Sequence, residues 1–405
     1  MDHRKRFRRH PPARARAWLP TVALLLVAAM AGPAGAADYS AWRYSRPIKM
    51  DTTRSGAGVR GTVKNFPVAV TLTSQNFDFA QAKADGSDLR FTRTPTGEPL
   101  PYAIESWDKG GGTAVVWVKM DVIRGGNKSQ SFLMHWGNPE APNVAHGAAV
   151  FTKDEGFVGV YHLNEEGGTQ VGGYKDVTSN EAHATGVNLK PGSRVDGRVG
   201  KGVALDYDQV QWIKIDDQKK KRLFNLTTRG TFSIWAKARA YRNKGNEATG
   251  ALPGYETMFA KGDNSWRLQK FGIRDWHKPP SDLIEMCVEQ PPNADLCVVG
   301  KTDMVTDRWF HVVAVHDFPR AKLYVNGVLE KTETFDVNWI SGEHDVGIGN
   351  QTQFPEKGRQ WDGVLDEARA LRVAKDDHWI KLDYESQKEG STFLIFGPIK
   401  QRSQS

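Results

Sequence analysis

The sequence predicts an all-β protein built from two antiparallel β-sandwich domains. The first observation is a period of two in the apolar residues of short segments such as 67–73, 113–120 and 131–136, which is typical of half-buried strands. The second is the turn chemistry between segments. Residues 321–325 alternate and run into Asn326-Gly327, the dipeptide most typical of a tight hairpin. The pattern contains no alternation of strands with long helices, which would indicate a doubly wound sheet.

The first 36 residues have the pattern of a secretory signal peptide. A basic stretch is followed by the apolar run 21–31 and by Ala34-Gly35-Ala36, a small-x-small cleavage site. The run is short for a membrane span, and an uncleaved anchor is the alternative interpretation. No later segment approaches membrane length. We therefore expect a periplasmic or secreted protein with no transmembrane segment after signal cleavage.

Length and charge set the domain count and exclude one class of partner. The 405 residues carry 55 Lys and Arg against 47 Asp and Glu, a net charge of +8. Seven of the basic residues and one acidic residue lie in the signal peptide, 1–36, so the remainder carries only +2. This balance indicates two ordinary domains and no nucleic-acid partner. A Pro/Asn/Gly cluster at 137–143 predicts a linker, which gives domains at 37–147 and 148–399 and a frayed tail at 400–405.

One helix is predicted near the C-terminus. Asp376 or Asp377 can cap its start, and residues 388–390 end it after about three turns. Residues 392–396 then have the pattern of a closing strand.

The two cysteines, Cys287 and Cys297, have their midpoint at Pro292. If the chain makes a hairpin there, the cysteines face each other across it, and an oxidising compartment then favours a disulfide. Two buried thiols are the alternative. A metal site is disfavoured because two lone thiols lack partners at ligand spacing.

Seven segments of the second half follow one another in a characteristic order. They are residues 159–165 (GVYHLNE), 176–186 (DVTSNEAHATG), 202–206 (GVALD), 232–236 (FSIWA), 309–314 (WFHVVA), 323–327 (LYVNG) and 363–369 (GVLDEAR). From residue 157 to residue 396 the chain thus resembles a laminin-G-like, concanavalin A-like lectin/glucanase domain. The resemblance implies a two-sheet jelly roll of antiparallel strands.

A second set of segments lies in the first half. They are residues 42–48 (WRYSRPI), 66–68 (FPV), 85–91 (DGSDLRF), 101–107 (PYAIESW), 116–119 (VWVK) and 135–139 (HWGNP). They resemble a domain of unknown function found in exported bacterial proteins associated with ExbB/TolQ-type biopolymer transport, often ahead of a laminin-G-like domain. The resemblance implies an envelope context, with ExbB/TolQ-type components as partners, and no established activity.

Because the related jelly rolls include glucanases, a glycoside hydrolase is one hypothesis. Retaining enzymes need two carboxylates about 5–5.5 Å apart. Asp362 and Asp366 share a strand face but are roughly 13 Å apart at strand spacing, and Glu367 points to the opposite face. We therefore interpret Asp366 and Glu367 as structural, holding loop backbone or pairing with Arg369.

The resemblance also implies a possible calcium site, since many laminin-G-like domains bind Ca²⁺ through Asp and Asn oxygens. The candidate ligands in this sequence are Asp206, Asp208 and Asp362. Solvated loop acids are the alternative interpretation.

Exposed aromatic side chains can stack on the faces of sugar rings. The candidates are Tyr255, Trp266, Trp276 and Trp361. Trp276 lies in a loop-like Trp-His-Lys-Pro-Pro segment, and loops carry binding residues more often than strands do. For Trp266 the alternative is a place in the core of a strand.

The leading hypothesis is an exported, non-catalytic binding protein that recognises a glycan or an envelope protein. The alternatives are a structural or adhesive adaptor without a sugar site and a glycoside hydrolase. A carboxylate pair in a groove would indicate the enzyme, exposed aromatics over a groove would indicate the lectin, and a large apolar patch would indicate the adaptor.

Overall fold

The first part of the chain forms strands where the apolar alternation predicts them. The computed structural model describes residues 38–220, 222–242, 254–262, 264–272, 282–290, 294–336, 341–353, 355 and 358–402. The first six strands are β1 (Tyr44–Met50), β2 (Val63–Thr73), β3 (Arg90–Arg93), β4 (Tyr102–Asp108), β5 (Thr113–Ile123) and β6 (Ser131–Trp136). The predicted segments 67–73, 113–120 and 131–136 fall within β2, β5 and β6, so strands there are confirmed.

Fifteen strands follow a short helix, α1 (Gly147–Val150). They are β7 (Phe157–Tyr161), β8 (Ala184–Val187), β9 (Arg194–Asp196), β10 (Lys201–Leu205), β11 (Trp212–Ile215), β12 (Arg229–Ala238), β13 (Glu256–Ala260), β14 (Trp266–Gly272), β15 (Asp282–Gln290), β16 (Ala294–Asp303), β17 (Phe310–Asp317), β18 (Arg320–Val325), β19 (Val328–Thr334), β20 (Val346–Ile348) and β21 (Gly363–Leu371). An eight-stranded sheet has the order β19-β18-β17-β12-β21-β10-β9, with β7 beside β21. A seven-stranded sheet has the order β16-β15-β14-β13-β20-β11-β8. These two sheets form the second sandwich.

The end of the chain returns to the first sandwich. Helix α2 (Asp377–Gln387) is followed by β22 (Leu394–Phe396) and β23 (Lys400–Gln401), which both pair with β1. The first sandwich therefore consists of a β22-β1-β6-β3 sheet, with β23 also on β1, and a β2-β5-β4 sheet. The predicted closing strand exists, but it closes the first sandwich rather than the second. Lys400–Gln401 pair with β1 where the sequence predicts a frayed tail.

Local signals in the sequence placed two elements correctly. Asn326 and Gly327 join β18 to β19 with φ values of 51° and 72°, the left-handed conformation that a type I′ hairpin requires. The side chain of Asp376 accepts a hydrogen bond from the Trp379 backbone N–H at 2.8 Å, so Asp376 is the N-cap of α2. The disulfide is also present: Cys287 and Cys297 are bonded across the β15–β16 pair.

The two sandwiches share an apolar interface. One buried cluster extends from the first-sandwich core to the outer face of the eight-stranded sheet and to α2, and a second cluster lies between the eight- and seven-stranded sheets. At the interface, Phe66 of β2 meets Trp379 of α2 edge-to-face, with ring centroids 5.4 Å apart. The described residues from 38 to 402 accordingly group as one compact unit, although the sequence predicts a boundary near residue 147. Among the described residues, no helix is both long and apolar enough to cross a membrane.

Candidate functional site

Three ionisable side chains from both sandwiches meet where the β2-β5-β4 sheet approaches the eight-stranded sheet. They are Glu105 of β4, His162 directly after β7, and Glu367 of β21, and we call them the junction triad. Their ligand-type atoms all lie within 4.8 Å of one another. His162 Nδ1 lies 2.5 Å from Glu367 Oε1 and 3.6 Å from Glu105 Oε2. The side chains are 0%, 7% and 1% exposed for Glu105, His162 and Glu367.

A bulge in β4 directs Glu105 into this site. The register between β4 and β5 shifts between Ile104 and Ser106, which leaves Glu105 as the extra residue. Bulges of this kind re-aim a side chain at the cost of a ladder hydrogen bond. The Trp117 indole N–H then donates to Glu105 Oε2 at 2.6 Å.

A second bulge directs Glu367. The register between β12 and β21 shifts at this position, and Glu367 has a φ of 51°, a conformation that side chains other than glycine rarely adopt. Strand alternation alone predicts that Glu367 and Asp366 point to opposite faces of the sheet. This prediction was wrong, because the bulge brings Glu367, along with Asp366, to the face that packs against the first sandwich.

Arg369 holds Glu367, one member of the triad, in position. Arg369 donates to Glu367 Oε2 through Nε and Nη2, and to Asp383 Oδ1 of α2 at 3.1 Å. Its guanidinium lies 4.4 Å from the ring centroid of Trp117, on the first sandwich. The predicted pairing of Glu367 with Arg369 is confirmed. Such a charge network inside an interface positions its members strongly, because losing one leaves another charge buried without a partner.

The surroundings shift the pKa values of the buried carboxyl groups in different directions. Burial raises the pKa of Glu105 well above its usual range, and the charges of Glu367 and Asp366 raise it further. Burial and the charge of Glu367 likewise raise the pKa of Asp366. Burial alone would raise the pKa of Glu367, but the charges of His162 and Arg369 lower it to about 2.

Asp366 has the structural role that the sequence predicts. Its Oδ2 accepts the backbone N–H groups of Arg198 and Val199 at 2.7 and 2.8 Å. These residues form the turn between β9 and β10, so Asp366 holds loop backbone against the edge of the eight-stranded sheet.

An open cleft of about 500 Å³ lies beside the triad, and we call it the junction cleft. Residues of both sandwiches line it: Ala103, Ile104 and Glu105 come from the first, and His162, Asn164, Glu165, Lys175, Ser179 and His183 come from the second, with His146 just ahead of α1. Glu165 is the most distinctive of these groups. One of its oxygens accepts the Lys175 backbone N–H at 2.7 Å, and the other, buried, has no hydrogen-bond partner within the described part of the chain. Burial raises the pKa of Glu165.

The three candidate calcium ligands lie near one another, but each of them faces an arginine side chain. Arg242 bridges Asp362 Oδ2 at 2.8 Å and Asp208 Oδ2 at 3.1 Å. Arg239 pairs with the other oxygen of Asp362 and lies 4.0 Å from Asp206. Calcium sites are made of oxygen ligands around the ion, whereas here two guanidinium groups occupy the space between the three carboxylates. Asp206, Asp208 and Asp362 therefore do not fit a calcium site, and we interpret them as an ion-pair cluster.

Two of the four candidate aromatic residues are in the core. Trp266 and Trp361 are buried in the second-sandwich cluster, so their ring faces are not available to a sugar and both leave the set of candidates. For Trp266 the core alternative is the right one. Tyr255 is half-buried, with Phe271 stacked at 6.0 Å and Arg359 at 5.2 Å from its centroid. Trp276 lies outside the described residues.

Sequence reasoning identified neither Glu105 nor His162 as a site residue. The two residues are separated from Glu367 by 262 and 205 positions, and two bulges decide their meeting. The only sequence signal is that both lie in the segments 101–107 and 159–165, which carry the family resemblances.

Two family models match the chain. A domain of unknown function, DUF2341, matches residues 85–165, and the concanavalin A-like lectin/glucanases superfamily matches residues 208–381. The chain thus carries a DUF2341 segment followed by a concanavalin A-like jelly roll. The DUF2341 match crosses position 147 and includes both Glu105 and His162.

No curated protein matches the chain. Among solved structures, the binding domain of Paraclostridial Mosquitocidal Protein 1 is 14% identical, with a TM-score of 0.43 over 58% of this chain and 53% of that one. Domain 4 of AbnA, a GH43 extracellular arabinanase from Geobacillus stearothermophilus solved with arabinotriose, is 18% identical, with a TM-score of 0.39 over 56% and 98%. The botulinum neurotoxin serotype D binding domain is 12% identical, with a TM-score of 0.40 over 58% and 52%. The matched region therefore spans about half the length of the first and third of these chains.

Proposed function

We propose that the protein is an exported, non-catalytic glycan-binding protein and that the junction cleft is its ligand site. The observation that carries this proposal is the polar lining of the cleft, which includes His146, Lys175 and Ser179 and a Glu165 carboxylate with one oxygen that has no hydrogen-bond partner among the described residues. A sugar offers hydroxyl groups that donate and accept at once, and a cleft of about 500 Å³ is within the range of small-ligand sites. The match of residues 208–381 to a lectin/glucanase superfamily supports the same ligand class.

The burial of the triad argues against a glycoside hydrolase. Glu105 and Glu367 have the separated acidities that an acid and a nucleophile need. Their side chains are closed to solvent, however, and Glu367 is held by both His162 and Arg369. A sugar in the cleft would meet the edge of His162 rather than a carboxylate pair flanking a glycosidic bond.

The surface gives less support to an adaptor. The exposed large apolar side chains of the described residues are spread over separate segments, from Val122 and Val171 to Phe318, Val328 and Ile399. Single exposed apolar residues are normal on a protein surface and do not by themselves indicate a docking face.

A glycan-array screen tests the proposal. The protein is expressed from the full sequence in a host that exports it, and it is screened in calcium and again in EDTA. The expected result is saturable binding to a defined glycan in both buffers, because the candidate calcium ligands are paired with arginines. Loss of binding in EDTA would show that a metal site takes part, and no binding in either buffer would move the function to an envelope protein ligand.

The proposal also includes export of the protein and a link to a transport system. N-terminal sequencing of the exported product is expected to begin at Ala37, whereas a chain retaining Met1 would contradict signal cleavage.

The resemblance of the first half also supports a partnership with ExbB/TolQ-type components. Cross-linking in the source bacterium followed by mass spectrometry is expected to recover such a component, and its repeated absence would remove this part of the proposal.

A further inference from the structure

We propose that the junction triad is a binding site for a divalent transition-metal ion, with zinc as the reference ion. Glu105, His162 and Glu367 would supply two carboxylate oxygens and one imidazole nitrogen. This proposal is independent of glycan recognition by the cleft, and it is tested by metal binding alone.

The geometry fits a single ion. The three ligand-type atoms lie within 4.8 Å of one another, so small side-chain rotations bring all of them to the 2.0–2.2 Å distances that zinc takes to nitrogen and oxygen. An imidazole with two carboxylates is a donor set that suits zinc and its neighbours in the first transition row.

Glu105 has one carboxylate oxygen without a hydrogen-bond partner among the described residues, and one oxygen of Glu367 is bonded to His162, another member of the triad. Trp117 holds Glu105 Oε2, and Glu105 Oε1 is buried with no hydrogen-bond partner in the part of the chain that the structure describes. Arg369 holds Glu367 Oε2, which leaves Oε1 beside His162. A buried carboxylate oxygen without a partner is costly, and a bound cation removes that cost. Partners on the opposite oxygens are the second layer that orients metal ligands.

The surrounding charges also favour a cation. Asp366 and Asp383 are buried close to the triad, so the interface holds four carboxyl groups, which face the Arg369 guanidinium and the imidazoles of His162 and His311. The ion has an access route, because Glu105 and His162 both line the junction cleft.

The test is a zinc titration of the full-length exported protein, without a polyhistidine tag, after it has been stripped with EDTA. Isothermal titration calorimetry is expected to give one equivalent of Zn²⁺, and X-ray absorption at the zinc edge is expected to show nitrogen and oxygen donors with no sulfur. The isosteric change Glu105→Gln should weaken binding at least tenfold, because it removes a charged ligand. His183→Gln is the matched control within the cleft and should leave the affinity within twofold.

Two results would overturn the site. One is a folded wild-type protein that takes up no zinc at high micromolar concentration. The other is binding that survives Glu105→Gln but is lost in His183→Gln or His146→Gln, which would place the ion on the open surface of the cleft. If Glu105→Gln does not fold, the wild-type absorption spectrum decides: one imidazole with carboxylate oxygens supports the triad, and two or more imidazoles contradict it. The zinc titration contains no glycan, so its result does not depend on the outcome of the glycan-array screen.

Discussion

His162 and Glu367 are joined by a hydrogen-bonded contact of 2.5 Å although 205 residues separate them in the chain. His162 follows β7, the first strand of the second sandwich, and Glu367 lies on β21, its last. Trp117 of the first sandwich lies parallel to the His162 ring with centroids 5.9 Å apart. The contact therefore joins the two ends of the jelly roll at the place where the other sandwich packs on them.

Removing Arg369, which donates to Glu367, should destabilise the whole protein. Arg369→Met leaves Glu367 and Asp383 buried without their cationic partner, and breaking a buried ion pair in this way costs about 3–5 kcal/mol. Urea unfolding followed by tryptophan fluorescence measures the loss. The matched control is Arg372→Met, at an exposed position three residues on, which should change the unfolding free energy by less than about 0.5 kcal/mol. Equal effects of the two changes would contradict the network described above.

The C-terminal return should be a structural part of the first sandwich. Phe393 is fully buried in the first-sandwich cluster, and its carbonyl accepts the Asp51 backbone N–H at 2.7 Å. Phe393→Ala is expected to lower the unfolding free energy by about 3–5 kcal/mol. Ile395→Ala, two residues along at a half-exposed position, should lower it by less than about 1 kcal/mol. A similar small loss for both would mean that this segment is not packed as a strand of that sheet.

The stability of the first sandwich should fall in mild acid. Burial, followed by the charge of Arg402, lowers the pKa of His135 to about 4, against about 6.5 in an unfolded chain. The unfolded state therefore binds the extra proton between these values, and stability is lost as the pH falls from 6.5 towards 4. His135 should account for about 1–2 kcal/mol of the loss between pH 7 and pH 5.

Chemical denaturation at a series of pH values checks this prediction. His135→Gln should flatten the profile between pH 7 and pH 5. The control, His146→Gln at an exposed position, should keep the wild-type slope. A wild-type profile that is already flat would contradict a neutral buried imidazole.

The disulfide should stabilise the edge of the seven-stranded sheet. It closes a segment with a sequence separation of 10, for which the loop-entropy relation gives about 2–3 kcal/mol. The double change Cys287→Ala with Cys297→Ala should lower the unfolding free energy by this amount, measured against wild type in urea. Wild type in reductant should show the same loss, and no difference between oxidised and reduced wild type would contradict the prediction.

The fold was more predictable from the sequence than the candidate site. The strands of the first sandwich, the Asn326-Gly327 turn and the Asp376 cap depend on signals within a few residues of one another. The triad depends on Glu367 and Glu105, each placed by a one-residue bulge that reverses the face expected from strict alternation. Likewise, the sequence shows only that Trp361 precedes the strand segment 363–369, and the tertiary packing shows that it is buried.

The central claim is that the junction cleft binds a glycan, and a paired titration tests it most directly. Glu165 lines the cleft and has a buried oxygen with no hydrogen-bond partner among the described residues, whereas its neighbour Glu166 pairs with Arg194 at the surface and does not line the cleft. Each variant, Glu165→Ala and Glu166→Ala, is titrated beside wild type with the strongest glycan from the array. The account predicts at least a tenfold loss of affinity for Glu165→Ala, about 1.4 kcal/mol, and less than a twofold change for Glu166→Ala. Unchanged affinity in a folded Glu165→Ala protein would contradict it and would place the ligand elsewhere on the molecule.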